Sequence, residues 1–137
     1  MPSRYVLDAS AGVEILQRTP AGLAVGSQLR REPGELWTAE HFHVEVARVF
    51  RRDVLAGVLT EIRAQALVDE LVAWPLFVAS VGPLLPEAWT LRHNVTIHDA
   101  VYVALTRQLD DAALVTTDGN LARAPGLGVE TIAPDEM

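Results

Sequence analysis

The chain has 137 residues, half of them hydrophobic and 21% charged, with 18 acidic against 11 basic side chains and a formal net charge of −7. That size and composition fit one soluble domain over residues 1–137 with a substantial core; the acidic balance argues against a protein held on nucleic acid by non-specific charge, but not against an enzyme whose carboxylates hold metal ions, since the ions reverse the local field. The chain contains no cysteine and no lysine, which excludes disulfides, thiolate metal sites and any chemistry that needs a side-chain amine.

The apolar N-terminal part is interrupted by Arg4, Asp8 and Glu14, unlike a signal peptide. The longest uncharged stretch, residues 71–86, is too short to span a bilayer and is broken by Pro75 and Pro83. A cytoplasmic protein without membrane association is the expectation.

Residues 4–8 read as a short buried strand that ends in an acid, Asp8. Ser10 is placed to cap the helix that follows, with Val13 and Leu16 inward. Thr19-Pro20 closes that helix and opens another over about 21–31, with Leu23 and Leu29 inward. After the turn at Glu32-Pro33-Gly34, residues 36–39 form a second strand. Residues 41–52 are helical: Phe42, Val46, Val49 and Phe50 share one face, and Glu45, Arg48 and Arg52 share another. Gly57 marks a break, and Thr60 caps a helix whose apolar positions are Ile62, Leu67, Leu71 and Val72. Residues 74–80 are a candidate third strand, and Pro86 opens a helix that carries Trp89 and Leu91 inward and reaches about Asn94. Thr96 to Leu105 reads as a helix with Asp99 in its first turn, and residues 112–118 as a buried strand closed by Asp118. A helical turn at 119–123 and an edge strand at 129–132 complete the chain. Strands alternating with helices in so short a chain specify a parallel sheet with helices on both faces.

Each acid has a plain structural explanation. Thr96-x-x-Asp99 is a capping box, Asp8 and Asp118 suit turns, and Glu45 can pair with Arg48 three positions on. Taken together the four say more. Asp8 and Asp118 close two strands at one edge of the sheet, Asp99 opens the helix that feeds the second of them, and Glu45 lies early in the helix leaving the second strand. A parallel sheet brings all four to one cleft. Clustered carboxylates raise each other's pKa, and hard divalent cations are their natural counter-charge. Arg48 and Arg52, on the face of Glu45, are candidates for phosphate contacts, with complementation of the helix C-terminus as the alternative for Arg51 and Arg52. His41, His43 and Glu45 do not match a zinc-binding pattern, and neither a dinucleotide loop, a Walker A sequence nor a Ser/His/Asp triad is present.

The strand ending Val6-Leu7-Asp8-Ala9-Ser10, the segment Val44-Glu45-Val46-Ala47-Arg48-Val49, the helix His98-Asp99-Ala100-Val101-Tyr102-Val103-Ala104-Leu105 and the strand Leu114-Val115-Thr116-Thr117-Asp118 resemble, in order, the four acidic motifs of PIN-domain nucleases. The length of the chain resembles that of the toxin member of a VapBC toxin–antitoxin pair. The resemblance implies a three-layer α/β/α fold with a five-stranded parallel sheet in the order 3-2-1-4-5. It implies that Asp8, Glu45, Asp99 and Asp118 form a catalytic, metal-binding site, with Ser10 and Thr116 as supporting hydroxyls and Thr117 in the same role. It further implies dependence on Mg²⁺ or Mn²⁺, endonucleolytic cleavage of RNA, a homodimer, and a cognate antitoxin protein whose C-terminal part enters the cleft. One departure is Gly119, where many members of the family carry a longer, often basic residue; it bears on substrate contacts just after Asp118 rather than on the metal site. Two other readings compete. One is a non-catalytic PIN-like module kept for protein binding. The other is a phosphoacceptor receiver or aspartyl phosphatase, which resembles the layout but relies on a lysine that this chain lacks.

Overall fold

A computed structural model describes residues 2–134. Five parallel strands, β1 (Arg4–Leu7), β2 (Glu35–Ala39), β3 (Phe77–Ala79), β4 (Ala112–Val115) and β5 (Glu130–Ile132), form one sheet in the order 3-2-1-4-5, as expected. Strand β1 lies at the centre, pairing Tyr5 with Leu36 of β2 on one side and with Ala113 of β4 on the other. Tyr5, Val6, Leu7, Ala113, Leu114 and Val115 are all buried, the pattern of strands covered on both faces.

Seven α-helices flank the sheet among the described residues: α1 (Ala9–Gln17), α2 (Pro20–Arg31), α3 (Phe42–Leu55), α4 (Glu61–Ala73), α5 (Leu85–Thr90), α6 (Ile97–Gln108) and α7 (Gly119–Ala122). Helix α1 packs against α2, α3 and α4, while α5 packs against α6. In α6 every residue from Ala100 to Thr106 is buried, so this helix is enclosed on all sides against β1, β2 and β4. Thr106 hides its hydroxyl there by donating to the Tyr102 carbonyl at 2.8 Å. None of the described helices is long and apolar enough to cross a membrane.

Several local expectations are corrected. The N-cap of α1 is Asp8, whose carboxylate accepts from the Ala11 amide; Ser10 sits inside the first turn. Thr19 and Thr60 do cap their helices, accepting from the amides of Gly22 and Arg63. Leu23 (53% exposed), Ile62 (86%), Val72 and Trp89 face outward rather than inward. These helices bury narrow stripes, Val25 in α2 and Leu67 with Leu71 in α4, so apolar residues beside each stripe are left outside. The third strand is shorter than residues 74–80, because Pro75 has no N–H for a ladder and Trp74 instead closes α4 and packs edge-to-face with Phe42. Helix α5 stops at Thr90, and residues 91–94 form turns that join it to α6.

The α1–α2 corner depends on a close backbone approach. A Cβ at Gly22 would overlap the Glu14 carbonyl, whereas one at Gly26, a turn further along α2, would meet only the end of the Arg30 side chain at 3.4 Å. Gly22→Ala is therefore expected to lower stability by about 2–3 kcal/mol by forcing the helices apart. Gly26→Ala is expected to raise it by about 0.5–1 kcal/mol through helix propensity. Urea unfolding midpoints of the two variants measure the difference, and equal midpoints would show that the corner is not tightly packed.

Candidate metal and active site

The carboxyl edge of the sheet gathers the four acids. Asp8, Glu45, Asp99 and Asp118 all line one cavity of about 290 Å³, together with Ser10, Arg48 and Arg52. A larger apolar groove of about 430 Å³ between α1, α2 and α4 contains none of the four.

Asp8 is the most constrained. It leaves β1 with its own amide bonded to the Val115 carbonyl at 3.1 Å, which extends the β1–β4 ladder by one residue. Its side chain is buried (1% exposed) and receives three bonds. Ser10 Oγ donates to Oδ1 at 2.7 Å, the Ala11 amide donates to Oδ1 at 2.9 Å, and Thr116 Oγ1 donates to Oδ2 at 2.5 Å. Each hydroxyl has a single proton, and both are spent on Asp8. Their lone pairs are then free to accept, and they do so from the backbone: the Thr117 amide donates to Ser10 Oγ at 3.0 Å and the Asp118 amide to Thr116 Oγ1 at 3.0 Å. Ser10 and Thr116 thus tie the end of β4 to the start of α1 through one carboxylate. Thr117 joins through its amide. Despite the three bonds, burial dominates and pushes the Asp8 pKa up to about 6, with Asp99 adding to the rise.

The other acids stand at helix starts. Thr96 caps α6 by accepting from the Asp99 amide at 3.2 Å. Burial raises the Asp99 pKa, the Thr96 hydroxyl partly offsets this, and Asp118 raises it further. Asp118 caps α7, with Oδ1 accepting from the amides of Asn120 at 2.9 Å and Leu121 at 3.4 Å. Glu45 lies in the first turn of α3, and its pKa is raised by burial and by Asp99 while His98 and Arg48 pull it down. Arg48 is exposed and has no carboxylate partner among the described residues, whereas Arg52 is held by Asp53 at 3.2 Å.

Three further residues complete the site. Glu14 lies one turn after Ser10 on α1 and lines the same cavity. His41 Nε2 lies 3.1 Å from both the His98 carbonyl oxygen and Glu45 Oε1, but hydrogen-bond geometry is met only toward the carbonyl. A carbonyl only accepts, so Nε2 carries the proton, and burial keeps His41 below the usual histidine range and neutral. Glu45 Oε1 is consequently buried without a hydrogen bond. Tyr102 stacks on His41 with ring centroids 4.4 Å apart, and among the described residues its buried hydroxyl has only the Ala9 backbone near it, outside good hydrogen-bond geometry. Burial and the charges of Glu45, Asp8 and Asp99 raise its pKa, so it stays protonated. Helical spacing was the available signal for all three: Ser10 to Glu14, His41 to Glu45 and Asp99 to Tyr102 are each three or four residues apart.

Oxygen-only donors with a surplus of negative charge, one buried carboxylate oxygen lacking a hydrogen bond, and a small polar cavity fit a hard divalent cation. Among the described residues no three His, Asp or Glu side chains are already drawn together around a single point. The four acids line the cavity without meeting at one point.

A family model described as PIN domain matches residues 5–127. Ribonuclease VapC12 of Mycobacterium tuberculosis is 36% identical over 125 residues, covering 91% of this chain and 95% of that protein. Among solved structures, VapC20 of Mycobacterium tuberculosis, described as a toxin cleaving the sarcin-ricin loop, superposes with a TM-score of 0.69 at 19% identity, covering 95% of this chain and 99% of that one. A chain of VapBC2 from Rickettsia felis, solved on a DNA fragment from its promoter, superposes with a TM-score of 0.65 at 14% identity, covering 94% of this chain and 98% of that one. The sheet order, the four acids in sequence order at its carboxyl edge, and the match along most of the chain agree: this protein belongs to the PIN-domain family.

Proposed function

We infer that this chain is an endoribonuclease acting as the toxin of a type II toxin–antitoxin pair, with Asp8, Glu45, Asp99 and Asp118 as its catalytic, metal-binding residues. The observation that carries the reading is the convergence of these four carboxylates on one cavity at the sheet edge of a PIN-domain chain. The names of its relatives, a ribonuclease and a cleaving toxin, favour turnover over the non-catalytic protein-binding module. Bound at the acids, Mg²⁺ or Mn²⁺ would supply the Lewis acidity that lowers the pKa of a water and offsets charge on the scissile phosphate.

The chain's own residues do the rest. Asp8, with Oδ1 held by Ser10 and Ala11 and Oδ2 by Thr116, presents a carboxylate that cannot swing away, and the second lone pair of Oδ2 is its position for a cation. Asp99 and Asp118 are oriented by the helices they open, and Glu45 has an oxygen left for ligation because His41 bonds elsewhere. Arg48, exposed and without an ion pair among the described residues, is the stronger candidate for a phosphate contact; Arg52 must first release Asp53. No protein nucleophile is needed. We extend the reading to a single domain over residues 1–137, a cytoplasmic location, a homodimer, and an antitoxin protein as partner, the last supported by the VapBC pairing of the Rickettsia felis neighbour.

Three experiments test this. Incubation of RNA with the protein and Mg²⁺ or Mn²⁺ is expected to yield internal cuts that EDTA abolishes. Asp99→Asn should slow cutting by more than the roughly 10- to 100-fold expected for Ser10→Ala or Thr116→Val, which remove only supporting partners. Equal rates for wild type and Asp99→Asn would remove the acids from the mechanism. Millimolar Mn²⁺ should raise the melting temperature of wild type by an increment that grows with concentration, and much less that of Asp99→Asn.

The third concerns pH in EDTA. Asp8 titrates near 3.8 when unfolded and near 6 when folded, so between those values the folded chain holds the extra proton. Stability conferred by protonated Asp8 is fully present below pH 4 and is lost as pH rises through about 6, a fall on the order of 2–3 kcal/mol. Urea unfolding across this window should show the decline in wild type and a flatter profile in Asp8→Asn, which keeps the cap. A stability that climbs from pH 4 to 6.5 to the same extent in both proteins would contradict the raised pKa.

A further inference from the structure

A second cavity shares part of the acidic site. It has a volume of about 500 Å³, takes Asp99 and Asp118 as one wall, and extends away from α1 and α3 toward the α5–α6 connection and α7, where Arg92, His93, Asn94 and Asn120 line it. The first cavity runs the other way, toward Arg48 and Arg52. The two therefore meet at Asp99 and Asp118, and each leads away to at least one arginine.

The far wall is built rather than loose. Asn94 Nδ2 donates to the Pro125 carbonyl at 3.1 Å, binding the α5–α6 connection to the loop after α7. Arg92 Nη1 donates to the Trp89 carbonyl at 2.8 Å, and the guanidinium lies over the Trp89 ring, 4.9 Å from its centroid. That stacking accounts for an exposed tryptophan on a helix that buries Ala88. It also holds the arginine's charge without neutralising it, since no carboxylate pairs with Arg92 among the described residues. In a chain of net charge −7, four other arginines do take carboxylate partners, on Glu35, Glu70, Asp53 and Glu87.

We propose that this second cavity is the other half of the RNA path, and that Arg92 is a phosphate-binding residue positioned by Trp89. The proposal rests on the endoribonuclease reading in one respect: an internal cut requires the strand to leave the carboxylates in both directions, and the two cavities lead away from Asp99 and Asp118 on different sides. A polyanion crossing an acidic centre needs cationic contacts on either side of it, and Arg48 and Arg92 are so disposed. The polar lining suits single-stranded RNA, whose exposed base edges take hydrogen bonds from side chains such as Asn120.

The test reads binding separately from cutting. In an Asp99→Asn background, fluorescence anisotropy of a fluorescein-labelled, mixed-sequence single-stranded oligoribonucleotide is followed against salt for Arg92→Gln, Arg92→Lys, Trp89→Phe, Trp89→Ala and Arg63→Gln. Arg63 is exposed on α4 and lines neither cavity, so it controls for net charge alone. Arg92→Gln is expected to weaken binding about 3- to 10-fold and to flatten the log–log salt slope by about 0.7, the value for one lost phosphate contact on a single strand. Arg92→Lys should keep the slope, Trp89→Ala should lose affinity that Trp89→Phe restores, and Arg63→Gln should match the parent. Binding and slope unchanged in Arg92→Gln, equal losses in Arg92→Gln and Arg63→Gln, or no binding by the parent would each overturn the proposal; unchanged RNA binding would leave the groove to a protein partner. Cutting assays in the Asp99 protein decide the endoribonuclease reading on their own: an uncut substrate with Arg92-dependent binding would refute catalysis and keep the path.

Discussion

Asp8 ends the central strand with a buried carboxylate that no arginine or histidine pairs with among the described residues. An isolated ion in that position costs several kcal/mol, and here three donors share the burden of solvating it. They come from two places: Ser10 and Ala11 belong to the first turn of α1, and Thr116 follows β4. The carboxylate is tolerable only when β1 has paired with β4 and α1 has begun directly after β1. Folding of the sheet's centre and assembly of the candidate site are therefore one event.

The same logic extends around the edge. Asp8 caps α1, Asp118 caps α7, and Glu45 and Asp99 lie in the first turns of α3 and α6. Four helices begin at one rim, and the partial positive charge of each N-terminus favours the acid placed there. This does not cancel the cost of placing the charges there: burial first, and neighbouring carboxylates after it, leave Asp8, Glu45 and Asp99 with raised pKa values. The fold holds the excess charge in place with rigid elements, most of all α6, which is enclosed from Ala100 to Thr106 and so fixes the backbone of Asp99 at its start. On the proposed reading, a divalent cation would relieve the repulsion, and the stored charge would become affinity for it.

Much of this was legible in the chain. A buried run that ends in an acid marks Asp8 and Asp118, and a capping residue before an apolar helix marks Asp99, because strand ends and helix starts leave local signatures. Glu45 was harder: a lone acid in an amphipathic helix gains meaning only from the company of the other three. Of the two roles expected of Ser10, the hydroxyl beside Asp8 is where the structure has it, while the cap of α1 belongs to Asp8: both are capping residue types two positions apart, and only the backbone at Asp8, extended rather than helical, separates them. Leu23, Ile62, Val72 and Trp89 were placed inward because spacing reveals that a helix has an apolar face without revealing how wide a face its neighbours will cover.

By itself the sequence determined the order of strands and helices, the parallel sheet, and which four acids belong together, because periodicity, capping and strand length are set by neighbours along the chain. Only the tertiary structure decided which polar atoms are spent and which are left over. Ser10 and Thr116 lie 106 positions apart and yet give their protons to the same carboxylate. His41 bonds to the His98 carbonyl rather than to Glu45, and that choice leaves Glu45 Oε1 without a hydrogen bond. Such outcomes turn on a few tenths of an ångström and on the angle of one N–H, quantities that exist only once distant segments have packed.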